Sequence, residues 1–299
     1  MHTYTVTHTT DYFYGESVPL CHNVVRLRPR DTAAQRCLTD EMIITPAPGA
    51  RRDGLDFFGN HVSWFSLQEP HAGLSITSTC SVTVTPSVAP VEVFSWEHVR
   101  DQLRNTRDRD TIDAGQFDAG QFDARQFTFD SHHAPASDAA RAYAHPSFTP
   151  GRPMMQSVDD LMRRIHNDFK FVPGSTMVGT SVEDILRYRQ GVCQDFAHLM
   201  LACLRSVGLA GRYVSGYLVT KPLPGRPKLL GADASHAWVG VWWPGFGWVD
   251  FDPTNAVLPS TEHVTVGWAR DYDDVAPVKG VIIGGHQHGL RVAVDVTPV

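Results

Sequence analysis

Cys193, His236 and one of two aspartates, Asp250 or Asp252, are the residues whose types and surroundings point to nucleophilic chemistry. A thiolate attacks carbonyl carbon, but it needs a proton acceptor, and the acceptor needs a third group to orient it. Cys193 stands in "GVCQDFAHLM", ahead of Phe196, Leu199, Met200, Cys203, Leu204 and Val207. Those apolar residues recur at helical spacing, so the segment reads as a helix with one apolar stripe that Gly208 ends. Cys203 belongs to the stripe, and packing explains it. Cys193 falls in the first turn, where unpaired N–H groups and the helix dipole favour a thiolate and can hold an oxyanion. The other cysteines are Cys21, Cys37 and Cys80. An odd total with no CxxC pair argues against a disulfide framework or a zinc site.

Of 15 histidines, His236 is singled out by its setting. It opens "HAWVGVWW", which a turn, "PGFG", joins to "WVDFDPT", so the two runs read as a β-hairpin. Register decides which aspartates share its face. With Trp242 opposite Trp248 across a five-residue connection, Asp252 lies opposite Trp238, one diagonal step from His236. A four-residue connection would turn both aspartates away, so an odd connection or a bulge is expected. Asp250 and Asp252 have the same parity, and periodicity leaves the choice between them open. Pro253 points to a strand end at Asp252.

Around these residues, Asp195 suits the positive end of the helix and reads with His198 as a capping pair. Substrate contact is the alternative for both, and Gln194 and Trp238 are further candidates for it. Trp242 reads as core, and Asp233 as a turn residue. The loop 221–233 carries Lys221, Arg226 and Lys228 and reads as solvated, with recognition of an acidic acyl donor as the alternative. His286 and His288 in "GGHQHG" are a weak ligand pair that a glycine turn explains equally well. No metal and no cofactor are expected.

Three regions must position this chemistry. Residues 1–90 alternate in polarity and are rich in Thr, Val and aromatics, as in "LSITSTCSVTVTP", which implies an N-terminal β-sandwich with a hairpin corner at Gly59-Asn60. Residues 91–150 form a linker with a helical segment, "FSWEHVRDQLRN", and the repeat "DAGQFDAGQFDARQF". The repeat matches neither helix nor strand period and reads as a loop insertion, with a docking role for Phe117, Phe122 and Phe127 as the alternative. Residues 151–299 read as the catalytic domain, beginning with a helix capped by Ser157 and another capped by Ser181, and ending in a strand, "GLRVAVDV". The net charge of −6 disfavours a nucleic-acid partner. The start lacks a basic, then apolar, leader, and no apolar run reaches bilayer length, so no membrane partner and a cytoplasmic location are expected. The sequence does not fix an oligomeric state.

The long stretches "GVCQDFAHLMLACLRSVGLAGRYVSGYL" and "GADASHAWVGVWWPGFGWVDFDPTN" resemble the core of the bacterial transglutaminase-like superfamily, and "HTYTVTHTTDYFYGESV" with "DFFGNHVSWFSLQEPH" resembles its N-terminal β domain. The resemblance implies an α+β fold, a papain-like core with a cysteine-bearing helix packed on an antiparallel sheet, preceded by the β-sandwich. It assigns the nucleophile to Cys193, the histidine to His236 and the aspartate to Asp252 rather than Asp250. It implies a cysteine protease or amidohydrolase that acts on a peptide or protein amide through a thioester. A protein-glutamine gamma-glutamyltransferase is the alternative, and a catalytically inactive peptide-binding module is the alternative from another class. Phe171 replaces the tyrosine of many relatives, and no upstream tryptophan or calcium cluster of the animal enzymes is found.

Overall fold

The computed structural model describes residues 1–91, 94–105, 123–220, 235–285 and 288–299. The loop 221–233, Phe117, Phe122 and His286 lie outside the described residues, as does the side chain of His288. Among the described residues no helix is long and apolar enough to cross a membrane.

The N-terminal region supplies six strands, β1 (His2–Val18), β2 (Leu20–Val25), β3 (Gln35–Thr45), β4 (Ala50–Leu55), β5 (His61–Leu67) and β6 (His71–Val84). The turn between β4 and β5 uses Gly59 at φ +74°, which a side chain would resist, as the glycine in this corner implied. Asp56 Oδ1 accepts from the Phe58 and Asn60 N–H groups inside it. Two later strands, β13 (Val278–Ile283) and β14 (His288–Pro298), join these six. The sheets run β14-β1-β6-β3 and β13-β2-β5-β4, every neighbouring pair antiparallel. The tail of the 151–299 region thus pairs into both of these sheets. "GLRVAVDV" is a strand, but its alternating pattern carries no information about which sheet receives it.

The even-numbered residues of β6, from Leu74 to Val84, are buried and form one face. One end of that face, with Leu74 and Ile76, packs on Phe65 and Leu67 of β5. The other end, with Cys80, Val82 and Val84, packs on Tyr217, Val264 and Val266 of the neighbouring sheet. A single apolar strand face thus serves two partners, and His8 Nδ1 meets Tyr217 Oη at 3.0 Å where they join.

That neighbouring sheet holds the candidate chemistry. It runs β11-β10-β9-β12, with β9 Gly211–Leu218, β10 Ser235–Trp243, β11 Gly247–Phe251 and β12 His263–Ala269. The longer helices among the described residues include α1 (Trp96–Asn105), α2 (Asp138–Ala144), α3 (Met154–Asp168), α4 (Val182–Tyr188) and α5 (Cys193–Ser206), with a short α6 (Tyr272–Val275). Helix α5 packs with Ala237, Val239 and Val241 of β10 in the main core. The expected single stripe understates its environment, because every residue from Asp195 to Ser206 is buried. Gly208 does end it, at φ +83°. The buried Arg205 satisfies its guanidinium on Ala134 O, Ser131 Oγ and Arg270 O, tying the linker to the core. Phe127 is core, edge-on to Trp248 at 5.1 Å, rather than an exposed docking residue.

Helix α3 corrects one expectation. It starts at Met154 behind Pro153, and Ser157 lies inside it with its hydroxyl donating to Pro153 O. Proline presets the backbone for a helix start, so entry occurs a turn before Ser157. Ser181 caps α4 as expected, accepting from the Asp184 N–H at 3.1 Å.

Candidate active site

Cys193 is the first residue of α5 and is partly accessible. The approach is built by two short parallel strands, β7 (Lys170–Phe171) and β8 (Gln190–Gly191), which set Phe171 beside Gly191. Asp195 reaches back to the helix entry: its Oδ2 accepts from the Val192 N–H at 2.7 Å and from Thr176 Oγ1 at 2.6 Å. A carboxylate in the first turn satisfies a backbone donor and suits the dipole. Gly191 leaves room for it, since a Cβ there would lie 2.8 Å from Asp195 Oδ2.

The hairpin register follows the parity the sequence required. Trp242 pairs with Trp248 and Val239 with Phe251, and Asp252 sits one step past the end of β11. His236 Nε2 donates to Asp252 Oδ2 at 2.7 Å, a distance typical of a charge-assisted bond. Asn255 Nδ2 also lies 3.4 Å from Nε2, and the neighbouring Cys193 thiol bears on the protonation of the ring. Burial alone would lower the His236 pKa, but the bonds to Asp252 and Cys193 and their charges outweigh it and raise it to about 10. Burial likewise pushes the Asp252 carboxyl up, yet the donors around it hold it well below the usual carboxylate range.

Those donors surround Asp252 completely. Besides His236, its Oδ2 accepts from Asn255 Nδ2 at 2.7 Å and from His263 Nε2 at 3.1 Å. Its Oδ1 accepts from the Thr254 and Asn255 N–H groups at 2.9 and 3.2 Å. Sequence reasoning missed His263 and Asn255. Asn255 follows Asp252 in "DPTN", a pattern that could have been read as an Asx turn. His263 comes from β12, across β9 from His236, and only the sheet order reveals it.

Asp250 has a separate job. Its Oδ2 accepts from Trp238 Nε1 at 3.0 Å, so the two aspartates of like parity divide between the indole and the imidazole. Trp238 is fully buried, with its ring 6.0 Å from His236 and edge-on to His263 at 5.2 Å. His198 is also buried: its Nε2 accepts from the Tyr272 N–H at 3.2 Å, and its ring stacks on His133. Asp195, His198 and Trp238 therefore have internal partners, while Gln194 beside Cys193 remains partly accessible.

Opposite His236 on β9 lies Gly216. A Cβ at this position would run into Val264 O and come within 2.5 Å of Trp238 Cη2. Gly216→Ala must displace a neighbouring backbone or the indole, and is expected to cost about 1–3 kcal/mol or more. Urea unfolding of the variant checks this; an unchanged midpoint would show that β12 has slack beside the site.

A sequence profile of the bacterial transglutaminase-like N-terminal region matches residues 4–83, and one of the transglutaminase-like superfamily matches residues 141–253. An uncharacterized protein of Mycobacterium tuberculosis is 41% identical over 309 residues, covering 99% of this chain and 93% of its own length. A protein-glutamine gamma-glutamyltransferase of Pseudomonas aeruginosa is 35% identical over 102 residues, 33% of this chain and 15% of that enzyme. The crystal structure of a "Putative Cysteine Protease" from Cytophaga hutchinsonii superposes with a TM-score of 0.73 at 21% identity, covering 100% of this chain and 91% of that one. The last likeness is one of fold.

Proposed function

The chain belongs to the transglutaminase-like superfamily, and from that premise we propose that it is a Cys-His-Asp enzyme that opens amide bonds of peptides or proteins through a thioester on Cys193. The observation that carries this reading is the bond from His236 to the buried Asp252, with Cys193 at the helix start close enough to act on the same ring. An imidazolium next to a cysteine favours its thiolate. The sulfur attacks the carbonyl carbon, and the first-turn N–H groups of α5, beginning with that of Cys193, face the developing oxyanion. One such donor contributes about 3 kcal/mol in comparable sites.

As the tetrahedral adduct collapses, the C–N bond breaks and the proton on His236 passes to the departing amine. Asp252 holds the ring through Nε2, so Nδ1 remains the nitrogen that exchanges protons with sulfur, leaving group and incoming nucleophile. Water deprotonated by His236 then attacks the thioester, and the carboxylic acid leaves as the thiolate returns. Hydrolysis is the favoured outcome because no counterpart of the animal enzymes' upstream tryptophan or calcium cluster is found in the sequence. The γ-glutamyltransferase of Pseudomonas is the specific observation behind the second reading, in which an amine replaces that water.

A peptide and isopeptide library tests both. The protein is incubated with the library, with and without a primary amine, and Cys193 and the products are identified by mass spectrometry. A thioester on Cys193 with free acid products supports hydrolysis, and amine-bearing products support transfer. Products equally abundant with Cys193→Ala, or none from either protein under any library, would reject the enzyme reading in favour of peptide binding.

A further inference from the structure

Outside this site, His132, His133 and Asp273 bring two imidazoles and a carboxylate to one point on the surface. His132 Nδ1 lies 3.0 Å and His133 Nε2 lies 3.2 Å from Asp273 Oδ2. We propose that these three side chains bind one divalent transition-metal ion, with zinc the best match to their donor set.

Spacing is the first support. Nitrogen and oxygen ligands at about 2.0–2.1 Å from a tetrahedral zinc stand about 3.3 Å from one another. Both separations are close to that edge length, the shorter being also a hydrogen bond, and the ligand atoms of all three residues lie within 4.8 Å of one another. Direction is the second and independent support. The His133 side chain is only 6% exposed, and its Nε2 makes no hydrogen bond although the carboxylate oxygen is within reach. The nitrogen is near the oxygen without being aimed at it, which is how two ligands of a shared ion relate. A buried imidazole nitrogen with no partner otherwise carries a desolvation cost. The second cluster of this composition, His236, Asp252 and His263, differs on this point: both its imidazoles point at the carboxylate and hydrogen-bond to it. It is closed on itself.

The surroundings also hold the ligands in place. The His133 backbone N–H donates to Asp271 Oδ2 at 3.0 Å, and its ring stacks on His198 at 5.1 Å with the planes 9° apart. Lys279 Nζ takes the other oxygen of Asp273, at 3.2 Å, which leaves Oδ2 to the imidazoles. His132 and Asp273 are open to solvent, giving the ion an entry path and room for a water as fourth ligand. Two nitrogens and one oxygen favour zinc, cobalt or nickel over calcium or magnesium. The ion would staple the linker at 132–133 to α6, next to the helix that carries Cys193.

The test uses the full chain, stripped with a chelator and titrated with Zn²⁺ against a chromophoric competitor, and with Co²⁺ for its visible bands. One equivalent is expected to bind, with His132→Ala and Asp273→Asn each weakening it by about 10-fold or more. His132 is exposed, so its variant keeps the fold, and zinc should raise the melting temperature of the parent protein but not of this variant. Cys193→Ala, His236→Ala and a double alanine variant of residues 286 and 288 should bind as the parent does. No binding at about 100 μM zinc, full affinity in His132→Ala, or loss in any of those controls would overturn the site.

Discussion

His236→Ala is expected to lower turnover by about 10⁴- to 10⁶-fold, the range found when one member of a nucleophile–base pair is removed. The substitution removes the group that both neighbours depend on. On the mechanism proposed above, Cys193 loses the imidazolium beside it, and the leaving amine loses its proton donor. Alkylation of Cys193 by iodoacetamide near neutral pH should slow alongside turnover, because the thiolate loses its counter-charge. Alkylation at the parental rate would show that the two residues do not act as a pair. The ring also carries a pH signature in stability. Its folded pKa of about 10 lies above the value of about 6.5 for a free imidazole. The proton is therefore bound more tightly in the folded state, and the stabilisation is complete below about pH 6.5 and fades as pH rises through 10. Urea unfolding of the parent and His236→Gln should show a stability gap that narrows across that interval; a gap that widens would reverse the sign of the coupling.

Asp252→Ala should damage both the fold and the chemistry. Five N–H donors converge on this fully buried carboxylate, two of them imidazoles. Removing one partner of a buried charged network costs about 3–5 kcal/mol, chiefly through the donors left unpaired. Asp252→Asn separates the two losses. A carboxamide still accepts from some of these groups, so less stability is lost, but its NH₂ confronts an imidazole N–H and turns the tautomer, which reduces turnover by roughly 10⁴-fold. The depressed pKa of Asp252 runs opposite to that of His236: its contribution is full above about pH 4 and disappears as pH falls toward the folded value. Circular dichroism with urea measures the first loss, and any amide substrate found in the library the second. An alanine variant as stable as the parent would mean that water or a rearranged turn replaces the carboxylate.

The hairpin shows how much of this was legible in residue order. Parity put Asp250 and Asp252 on the His236 face, and the pairing of Trp242 with Trp248 met the condition for it. Parity could not separate the aspartates, because the deciding event, the end of β11 after Phe251, is set by Pro253 and the turn that follows. The helix of Cys193 was visible in its apolar spacing, whereas its burial on all sides was not, since α2 and β10 come from distant sequence. His263 left no local sign. It reaches Asp252 only because β9 separates β12 from β10, a sheet order that no periodicity encodes. Ser157 misled for a local reason, as proline started the helix ahead of it.

The pairing of β14 with β1 places Tyr4 opposite Pro298, so two strands that touch are separated by every other element described. During synthesis β1 and β2 emerge well before β13 and β14, so each sandwich sheet waits for a later partner. Contacts this remote in sequence are slow to close, and until they do β1 and β2 present unpaired borders that invite intermolecular pairing. Anyone removing the last twenty or so residues to obtain a tidier enzyme would open both sheets and expose the surface on which the His236 sheet rests.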